Sequence, residues 1–511
     1  MATRRRFLRS ASTLGISACL GSSDSLLQLS PATADEAAVT PDIVQLRPAI
    51  EPIVRLIEET PREKCFPMVL DQLRRGLPYR QFLAALFLAG IRNVNPQPPG
   101  FKFHCVFVIH SAHQLSLDAS VDDRLLPLFW ALDNFKVSQQ KDVDEGDFRL
   151  RPVTGRLPSP EMAWQEFHSA MDEWDEPRAD RAIVALARSK GAHEIIEGLW
   201  SYGARDYRNI GHKAIFVANS WRTLQTIGWQ HAEPVLRSLV LGLLDFGKSE
   251  RVNAYAFEDQ AFLSNVRRTQ QTIKDLPGNW TAAEVNPSAT LDLLEAIRSG
   301  SLEEACGQTA AQLTAGSVDA RAAWDAVHLA AGELMMRQPG IYGIHTVTSA
   351  NGLRYAYQTS SDPQTRLLML LQGVGWMCQF HKFMAGARTG LNDHRITAVE
   401  PRANPEDPLE AADQILAEVG KDPTSAASRA FAFAQTHAEP DLFTQRARQL
   451  VFRKGTDAHD YKYAGAIFED YHLVSPVWRP HMLATAVYHL RGSSLPDSPV
   501  MQRAREAIEL L

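Results

Sequence analysis

Several features that mark specialised protein classes are scarce in this chain of 511 residues. It has only 5 cysteines, far below the density of a disulfide scaffold. Lys and Arg total 53 against 59 Asp and Glu, so the formal net charge of −6 leaves no basic excess to neutralise a phosphate backbone. No apolar run approaches the roughly 20 residues that cross a bilayer. We therefore expect no nucleic-acid partner and no transmembrane segment in the mature chain.

Standard catalytic motifs are also missing. The sequence contains no GxGxxG after a strand, no GxxxxGK followed by Ser or Thr, no GxSxG and no HExxH. The nearest approach to the last motif is HExxE at 193–197, which lacks the second histidine. The cysteines are isolated and form no zinc spacing, so packed core thiols are the favoured interpretation. These absences disfavour dinucleotide-binding folds, common hydrolases and a structural zinc site.

The first residues carry an export signal of the twin-arginine type. Residues 3–9 (TRRRFLR) contain the paired arginines, and the mildly apolar stretch 11–20 follows them. A small-x-small site ends at Ala34, so we predict a cleaved signal peptide over 1–34, with a lipid-modified Cys19 as the alternative N-terminus. The sequence therefore predicts contact with the twin-arginine translocase during export and a periplasmic or other extracytoplasmic location.

Helical periodicity runs through the rest of the chain. Apolar residues recur at spacings of three and four, as in the run Val235, Leu236, Leu239, Val240 and Leu243. Clusters of Pro and Gly separate these blocks, and alternating strand patterns are scarce. We predict an all-α fold, in the form of a multi-helical single domain over 35–511.

Four segments of this domain share one layout. In each, a histidine opens an apolar helix, and an arginine 20 to 25 residues later begins a second helix. The four pairs are His104 and Arg124, His212 and Arg237, His345 and Arg366, and His459 and Arg479. The repetition predicts four related His-led helical modules, whose approximate limits are 60–150, 160–270, 290–395 and 405–511.

The second and third segments match best and supply candidate binding residues. Asn219 and Arg222 in one segment correspond to Asn351 and Arg354 in the other. An amide and a guanidinium three residues apart share one helix face, where they can hold a polar ligand through charge-assisted hydrogen bonds. We assign these four residues to substrate binding. The alternative is structural, because duplicated modules also keep equivalent buried polar residues that satisfy one another.

These segments resemble the questin oxidase-like family, in which helices of the types HxxIxxA, HxVTxxxxLR and EHxxK follow one another. The counterparts here are 212–219, 345–354 and 459–462. The last motif departs from the family pattern because Ala458 stands where the family has glutamate. The resemblance implies an oxidoreductase that inserts oxygen beside a ring carbonyl, as in Baeyer–Villiger cleavage, with a quinone-like or polycyclic aromatic small molecule as substrate.

The resemblance also leads to an assignment of roles. We expect His212, His345 and His459 to supply acid–base chemistry. Arg222 and Arg354 are expected to stabilise a developing oxyanion. Lys462 joins the substrate-binding residues. The family implies reducing equivalents linked to nicotinamide. Because free NADPH is not expected outside the cytoplasm, we leave the cofactor open.

Two other functions remain open at this point. A metal-dependent helical enzyme would use some of the same histidines with Glu333 or Glu469. Glu469 and His472 have the spacing of half a di-iron site, and Asp325 and His328 form a weaker second half. The primary assignment itself contains no metal ligand. The third interpretation is a non-enzymatic secreted scaffold or binding protein whose histidines only pack, and convergence of the four opening histidines on one pocket would argue against it.

Overall fold

The computed structural model describes residues 43–121, 123–245, 256–281, 286–299, 301–437 and 441–509. Over these residues the chain forms 22 α-helices and no strand, which confirms the predicted all-α fold. The predicted signal peptide, with Ala34 and Cys19, lies outside the described residues. The division into four modules stays a prediction.

Ten of these helices precede residue 245. Their bounds are α1 Glu51–Glu59, α2 Cys65–Arg74, α3 Tyr79–Asn93, α4 His104–Asp118, α5 Leu126–Glu145, α6 Ala163–Asp172, α7 Glu176–Ser189, α8 Ala192–Gly203, α9 His212–Ile227 and α10 Ala232–Leu243. Short 3₁₀ turns lie between some of them, at Arg62–Lys64, Phe101–Phe103, Arg208–Gly211 and Trp229–His231.

Twelve helices follow. Their bounds are α11 Phe257–Thr272, α12 Pro287–Arg298, α13 Leu302–Thr314, α14 Ala320–Arg337, α15 Ile341–Thr359, α16 Pro363–Ala385, α17 Pro408–Glu418, α18 Pro423–Thr436, α19 Asp441–Lys454, α20 Ala458–Leu473, α21 Arg479–Ala486 and α22 Pro499–Glu509. Two further 3₁₀ turns occur at Ile396–Ala398 and Pro476–Trp478.

Capping residues explain where many helices begin. An Asp or Asn side chain accepts a hydrogen bond from a backbone amide of the first turn at Asp175, Asn286, Asp319, Asp362, Asp407, Asp422 and Asp457. In five of these caps a proline follows within the first two helical positions, where its missing N–H costs nothing. The Asp-Pro pairs at 362–363, 407–408 and 422–423 are therefore helix starts.

Four helices form the centre of the fold. Helix α9 packs against α4 and α15, and α20 packs against α4 and α15, so the four close a ring. Helices α5, α10, α16 and α21, each next in the chain after one of the four, lie against them from outside. Helices α9 and α15 are buried along nearly their whole length, which is why their apolar residues are not confined to one stripe.

The four inner helices are parallel. The predicted histidines lie at or near the N-terminus of each: His104 and His212 are first residues, His459 is second, and His345 lies one turn inside α15. Ten residues further on, about 15 Å along each helix axis, stand the members of a second layer, Gln114, Arg222, Tyr355 and Glu469. We call the four histidines the histidine layer and this second set the far polar layer.

The core is continuous around this bundle. Cys65, Cys105, Cys306 and Cys378 are all buried in it and unpaired, so the prediction of packed thiols is confirmed for these four. Burial raises the pKa of the Cys105 and Cys306 thiols to about 12. Within the described ranges no helix combines the length and apolar character that a membrane crossing requires.

Candidate metal centre

The four opening histidines converge at one point. One ring nitrogen from each of His104, His212, His345 and His459 lies within 4.8 Å of the corresponding nitrogen of every other. Side chains from four segments that lie more than a hundred positions apart therefore meet. His212 and His345 are buried, whereas the His459 side chain keeps 12% of its surface exposed.

His212 occupies the middle of the layer. Its Nε2 atom lies 2.8 Å from Nε2 of His104 and 3.0 Å from Nε2 of His345. The ring of His459 closes the group, with its centroid 4.4 Å from that of His104 and 5.2 Å from that of His345. Phe107 stacks on the His212 ring from the bundle side. The rings therefore face one another across a space of a few ångströms.

Close backbone approaches bring His212 into the group. Gly211 has a left-handed backbone (φ +85°), and a Cβ there would meet the Ser349 Cβ of α15 at 2.6 Å. Gly100, also at positive φ, lies against the His212 ring. Glycine is thus required on both sides of this histidine. Ile210 also has positive φ (50°), which is rare for a β-branched residue and marks a strained turn directly before the site.

Outer hydrogen bonds fix how three of the rings are oriented. The Nδ1 atom of His345 donates to the carbonyl oxygen of Ile341 at 2.6 Å, and Nδ1 of His212 donates to the carbonyl oxygen of Asn209. Nδ1 of His459 donates to the carboxylate of Asp457. Acceptors of this kind on the outer nitrogen set the tautomer of a metal-binding histidine.

With these tautomers, no hydrogen lies between the Nε2 atoms of His212 and His345. A carbonyl oxygen can only accept, so Nδ1 of both rings carries the hydrogen and Nε2 of both carries a lone pair. The two lone pairs face each other at 3.0 Å with no hydrogen available between them. Nε2 of His459 is also buried and has no hydrogen-bond partner among the described residues. Nε2 of His104 lies 2.8 Å from Nε2 of His212 and can donate a hydrogen to it, which leaves the lone pairs of His345 and His459 without a donor. A cation among these nitrogens would satisfy both.

Protonation of the ring nitrogens in the histidine layer is disfavoured. Burial, with the neighbouring histidines and Lys462, holds the pKa of His345 well below its ordinary value, and burial with Lys462 and His459 does the same for His212. Burial, followed by Lys462, also lowers the pKa of His104. The parallel helices add their positive N-terminal ends to the same region. The imidazoles are therefore neutral, the form that binds metal.

Two of the distances between ring nitrogens fit a metal with right-angled bonds. With metal–nitrogen bonds of about 2.0–2.1 Å, two ligands at 90° lie about 2.9 Å apart, and two at the tetrahedral angle lie about 3.4 Å apart. The observed 2.8 and 3.0 Å match the first arrangement. Square or octahedral coordination by four imidazoles is typical of copper, nickel or iron rather than structural zinc. It also leaves coordination positions open.

Lys462 lies one turn beyond His459 on α20. Its Nζ atom is buried and has no hydrogen-bond partner among the described residues, and Phe107 lies 5.8 Å from it. Burial lowers the pKa of the Lys462 amine to about 7. The predicted binding residue Lys462 is thus close to the histidine layer, and its amine is neutral in a large fraction of molecules near pH 7.

Three predicted binding residues lie deeper in the bundle and bind one another. Arg222 donates to both carboxylate oxygens of Glu469, at 2.8 and 2.7 Å, and to the amide oxygens of Asn351 and Asn219 at 3.1 and 3.4 Å. Asn351 in turn donates to Glu469 at 3.0 Å. The Arg222 guanidinium also lies 4.0 Å from the Tyr355 ring. These groups form a hydrogen-bonded plug across the far end of the bundle.

Arg354 is the predicted site residue that the structure places elsewhere. Its guanidinium lies over the rings of Trp324 and Tyr357, on the side of α15 away from the bundle axis. Its Nε and Nη1 atoms have no hydrogen-bond partner in the described parts of the chain. Burial lowers the pKa of Arg354 to about 10. Arg354 therefore does not join Arg222 in one site.

The carboxylates of the metal-dependent alternative do not reach the histidine layer. Glu469 is held by Arg222, and Glu333 is held by Arg298 at 2.6 Å. His328 lies 3.4 Å from Asp470, not in a cluster with Glu469. Among the described residues, the four histidines are the only group with ligand atoms close enough to share one metal ion. The candidate centre is all-nitrogen.

Two residues of this region were missed by sequence reasoning. His104 opens the first predicted segment as the other three histidines open theirs, and that equivalence was the signal that could have included it. His110 lies on α4 facing the bundle interior, and both its ring nitrogens are buried without a described partner. His113, three residues later on the same helix, contacts the Tyr79 hydroxyl at 2.9 Å.

Comparisons of this chain with protein-family models, with curated proteins and with solved structures found no match.

Proposed function

We propose that this protein is a metal-dependent oxidoreductase that uses oxygen, with His104, His212, His345 and His459 as the metal ligands. One observation carries the proposal: the lone pairs of His212 and His345 face each other at 3.0 Å in a buried space. An unpaired buried acceptor costs about 1 to 3 kcal/mol, and the lone pairs of His345 and His459 have no donor among the described residues. The resemblance to the questin oxidase-like family supports the reaction class.

The ligand set favours iron or copper. Neutral imidazoles contribute no charge, so a bound ion keeps its full positive charge, and right-angled ligation leaves positions free for oxygen or substrate. Such an ion supplies one-electron chemistry with oxygen, which amino-acid side chains lack. Asp457 orients His459 from outside the ligand set, as carboxylates do for metal-binding histidines elsewhere.

Lys462 is the residue suited to hold or release a proton beside the centre. Its Nζ atom is buried and unpartnered among the described residues, and burial brings its pKa to about 7. An acid or base is most effective when its pKa lies near the working pH. The acid–base role predicted for the histidines therefore passes to Lys462, since imidazoles that bind a metal do not exchange protons on the bound nitrogen.

The loop side of the histidine layer suits an apolar substrate. Phe101, three residues before His104, is 78% exposed, and Ile341, whose carbonyl holds His345, is 45% exposed. These exposed apolar side chains lie beside the N-termini of α4 and α15, two of the helices that carry the histidines. They support the quinone-like or polycyclic aromatic substrate that the family resemblance implies, with the ring body resting on the apolar rim.

Metal analysis of the purified full-length protein tests the centre. We expect about one iron or copper ion per chain in the wild type, and loss of nearly all of it in His345→Ala. The matched control is His113→Ala, which removes a half-buried histidine of α4 outside the cluster. Equal metal content in all three proteins, or none in the wild type after loading with either ion, would exclude the metal centre.

An aerobic screen against quinones and hydroquinones tests the reaction class. We expect turnover by the metal-loaded wild type and a loss of roughly 10² to 10⁴ in Lys462→Met if its amine moves a proton. Unchanged metal content in Lys462→Met would separate this role from ligation. A fully loaded protein that neither binds nor turns over any aromatic substrate would restrict the function to metal binding.

Export by the twin-arginine route accords with this proposal, because that route carries folded proteins that hold a cofactor. The motif at Arg4 and Arg5 supports it, since lysine replaces a recognised arginine pair poorly. We expect an Arg4→Lys, Arg5→Lys double variant to stay in the cytoplasm. Normal periplasmic delivery of that variant would show that another route is used.

A further inference from the structure

A large cavity lies apart from the histidine layer. Its volume is about 530 Å³, and none of the four opening histidines is among the described residues that line it. Its walls come from the end of α5, the loop 146–154 that follows, the first turns of α7 and the second half of α10. Sites for small molecules in proteins have volumes of roughly 300 to 1,000 Å³. The cavity is therefore large enough for an organic ligand.

The carboxylates in the described wall of this cavity all have partners within the chain. Each forms an ion pair or accepts a hydrogen bond from a neighbouring side chain. The pairs are Asp142 and Glu145 with Lys102, Asp147 with Arg149, Glu176 with Gln97, and Asp180 with Arg237. The negative charge of the wall is therefore already compensated.

Two arginines of the same wall are not compensated in this way. Arg181 is partly buried and Arg151 is exposed, and neither guanidinium has an ion-pair or hydrogen-bond partner among the described residues. A third arginine, Arg237, is only 4% exposed, and its Nη1 atom is buried without a hydrogen-bond partner in the described parts of the chain. The charge that remains unpaired in the wall is therefore positive, which favours an anionic ligand.

Hydrogen bonds hold the loop 146–154 in position. Arg237 donates to the backbone carbonyl of Arg151 at 2.7 Å, and the backbone amide of Leu150 donates to the carbonyl of Arg92 at 2.9 Å. Just beyond the loop, Gly155 has positive φ (+87°), and a Cβ there would lie 3.5 Å from Cδ of Arg181. Because these contacts are made within the chain, the cavity exists before any ligand binds.

The rest of the wall offers apolar surface. Leu150 and Val240 are buried, and Leu241 is partly buried. Pro152 and Pro177 also line the cavity. Apolar side chains and unpaired guanidinium groups in one cavity fit a ligand that has an apolar body and an acidic group.

We propose that this cavity is a second small-molecule site, which binds an organic acid. The carboxylate of the acid pairs with Arg151 and Arg181, since a guanidinium presents parallel N–H groups that match a carboxylate. The apolar body lies against Leu150, Val240 and Leu241. The site does not depend on the proposed metal centre, because no residue of the histidine layer contributes to it.

Calorimetric titration of the full-length protein at low ionic strength, where screening is weak, tests the site. The probes are 2-naphthoate, decanoate and the neutral compound 2-naphthamide. We expect the wild type to bind at least one of the two acids with a Kd below about 1 mM, and to bind 2-naphthamide at least about tenfold more weakly than 2-naphthoate. Binding of neither acid would overturn the proposal.

An Arg151→Gln, Arg181→Gln double variant tests the acid-binding residues. We expect it to lose about 10- to 100-fold in affinity for the acid, because charge-assisted hydrogen bonds are lost. The matched control is Arg156→Gln, which removes an exposed arginine of the same connection between α5 and α6 that is not among the lining residues. Equal affinity in the double variant and the wild type would overturn the proposal, as would an equal loss in Arg156→Gln.

A third variant tests the location without removing a charge. Thr154→Trp places a large ring at the exposed edge of the cavity, and we expect it to weaken binding of the acid at least about tenfold by occupying its volume. Unchanged affinity in this variant would show that the acid binds elsewhere. Metal content is measured in the same samples and should not change, so failure of this site and failure of the metal centre are distinguishable.

Discussion

The buried polar side chains at the two ends of the inner bundle differ in how completely they are paired. At the far polar layer, Arg222 and Glu469 form a two-bond ion pair, and Asn351 bonds to both. At the histidine layer, lone pairs of His212 and His345 face one another. One end is complete within the chain, whereas the other leaves ring nitrogens without a hydrogen between them, and this is where we propose a metal ion. Each of the four inner helices carries one residue of each layer, and the two residues are ten positions apart. The spacing in the sequence therefore does not tell which layer is structural and which is functional.

The largest difference is expected between the two arginines that the sequence treats as equivalent. Arg222→Met leaves the Glu469 carboxylate and the Asn351 amide oxygen without their donor, and we expect a loss of about 2 to 3 kcal/mol in the free energy of unfolding, because the carboxylate keeps part of its hydration. Arg354→Met removes a buried charge that contacts aromatic rings, and we expect a change within about 1 kcal/mol or a gain. Urea unfolding of both variants measures the contrast. Equal losses would mean that Arg354 also has a required partner.

The histidine layer should make the metal-free protein sensitive to acid. Because the folded-state pKa of His345 is lowered, the unfolded chain binds a proton below about pH 6.5 that the folded chain refuses, so stability falls as the pH drops. One such site contributes at most about 1.4 kcal/mol per pH unit. We expect His345→Gln to have a shallower decline between pH 6.5 and 5 than the wild type. A parallel decline in the two proteins would show that His345 takes up its proton in the folded state.

Loss of the outer hydrogen bond of His459 should have a smaller effect, which is limited to the affinity for metal. Asp457→Asn keeps the shape of the acceptor but removes its charge, and outer partners of this kind change metal affinity by roughly 10- to 100-fold. We expect a decrease of about tenfold, at the low end because the Asp457 side chain is 60% exposed. Competition with a chelator measures it. An unchanged affinity would show that Asp457 does not support metal binding by His459.

The smallest effect is expected at the rim of the far polar layer. Tyr355→Phe removes the hydroxyl that donates to Gln225 but keeps the ring beside Arg222. A hydrogen bond between exposed partners contributes about 0.5 to 1 kcal/mol. We expect a change of that size in urea unfolding and no change in metal content. Loss of metal in this variant would show that the two layers are coupled.

The different positions of Arg222 and Arg354 have a simple geometric cause. Alignment on Asn-x-x-Arg makes Arg222 and Arg354 equivalent, but Arg222 lies ten residues after His212 and Arg354 lies nine after His345. One residue turns the side chain by about 100° around the helix axis. Tyr355 therefore takes the position at the bundle axis, and Arg354 points to Trp324. The register of each arginine against the histidine that opens its helix, and not the Asn-x-x-Arg spacing, decides whether it faces the bundle axis.

The sequence by itself determined the helices and the residues that open them. Apolar spacing, Asp-Pro caps such as Asp362 with Pro363, and the repeated histidines are local signals, and each is read within one or two helical turns. The tertiary structure decided that four distant N-termini meet, that His104 completes the set, and that His110 faces the same interior as Lys462. These depend on how four helices close into a ring, and such contacts between residues more than a hundred positions apart leave no mark in local periodicity.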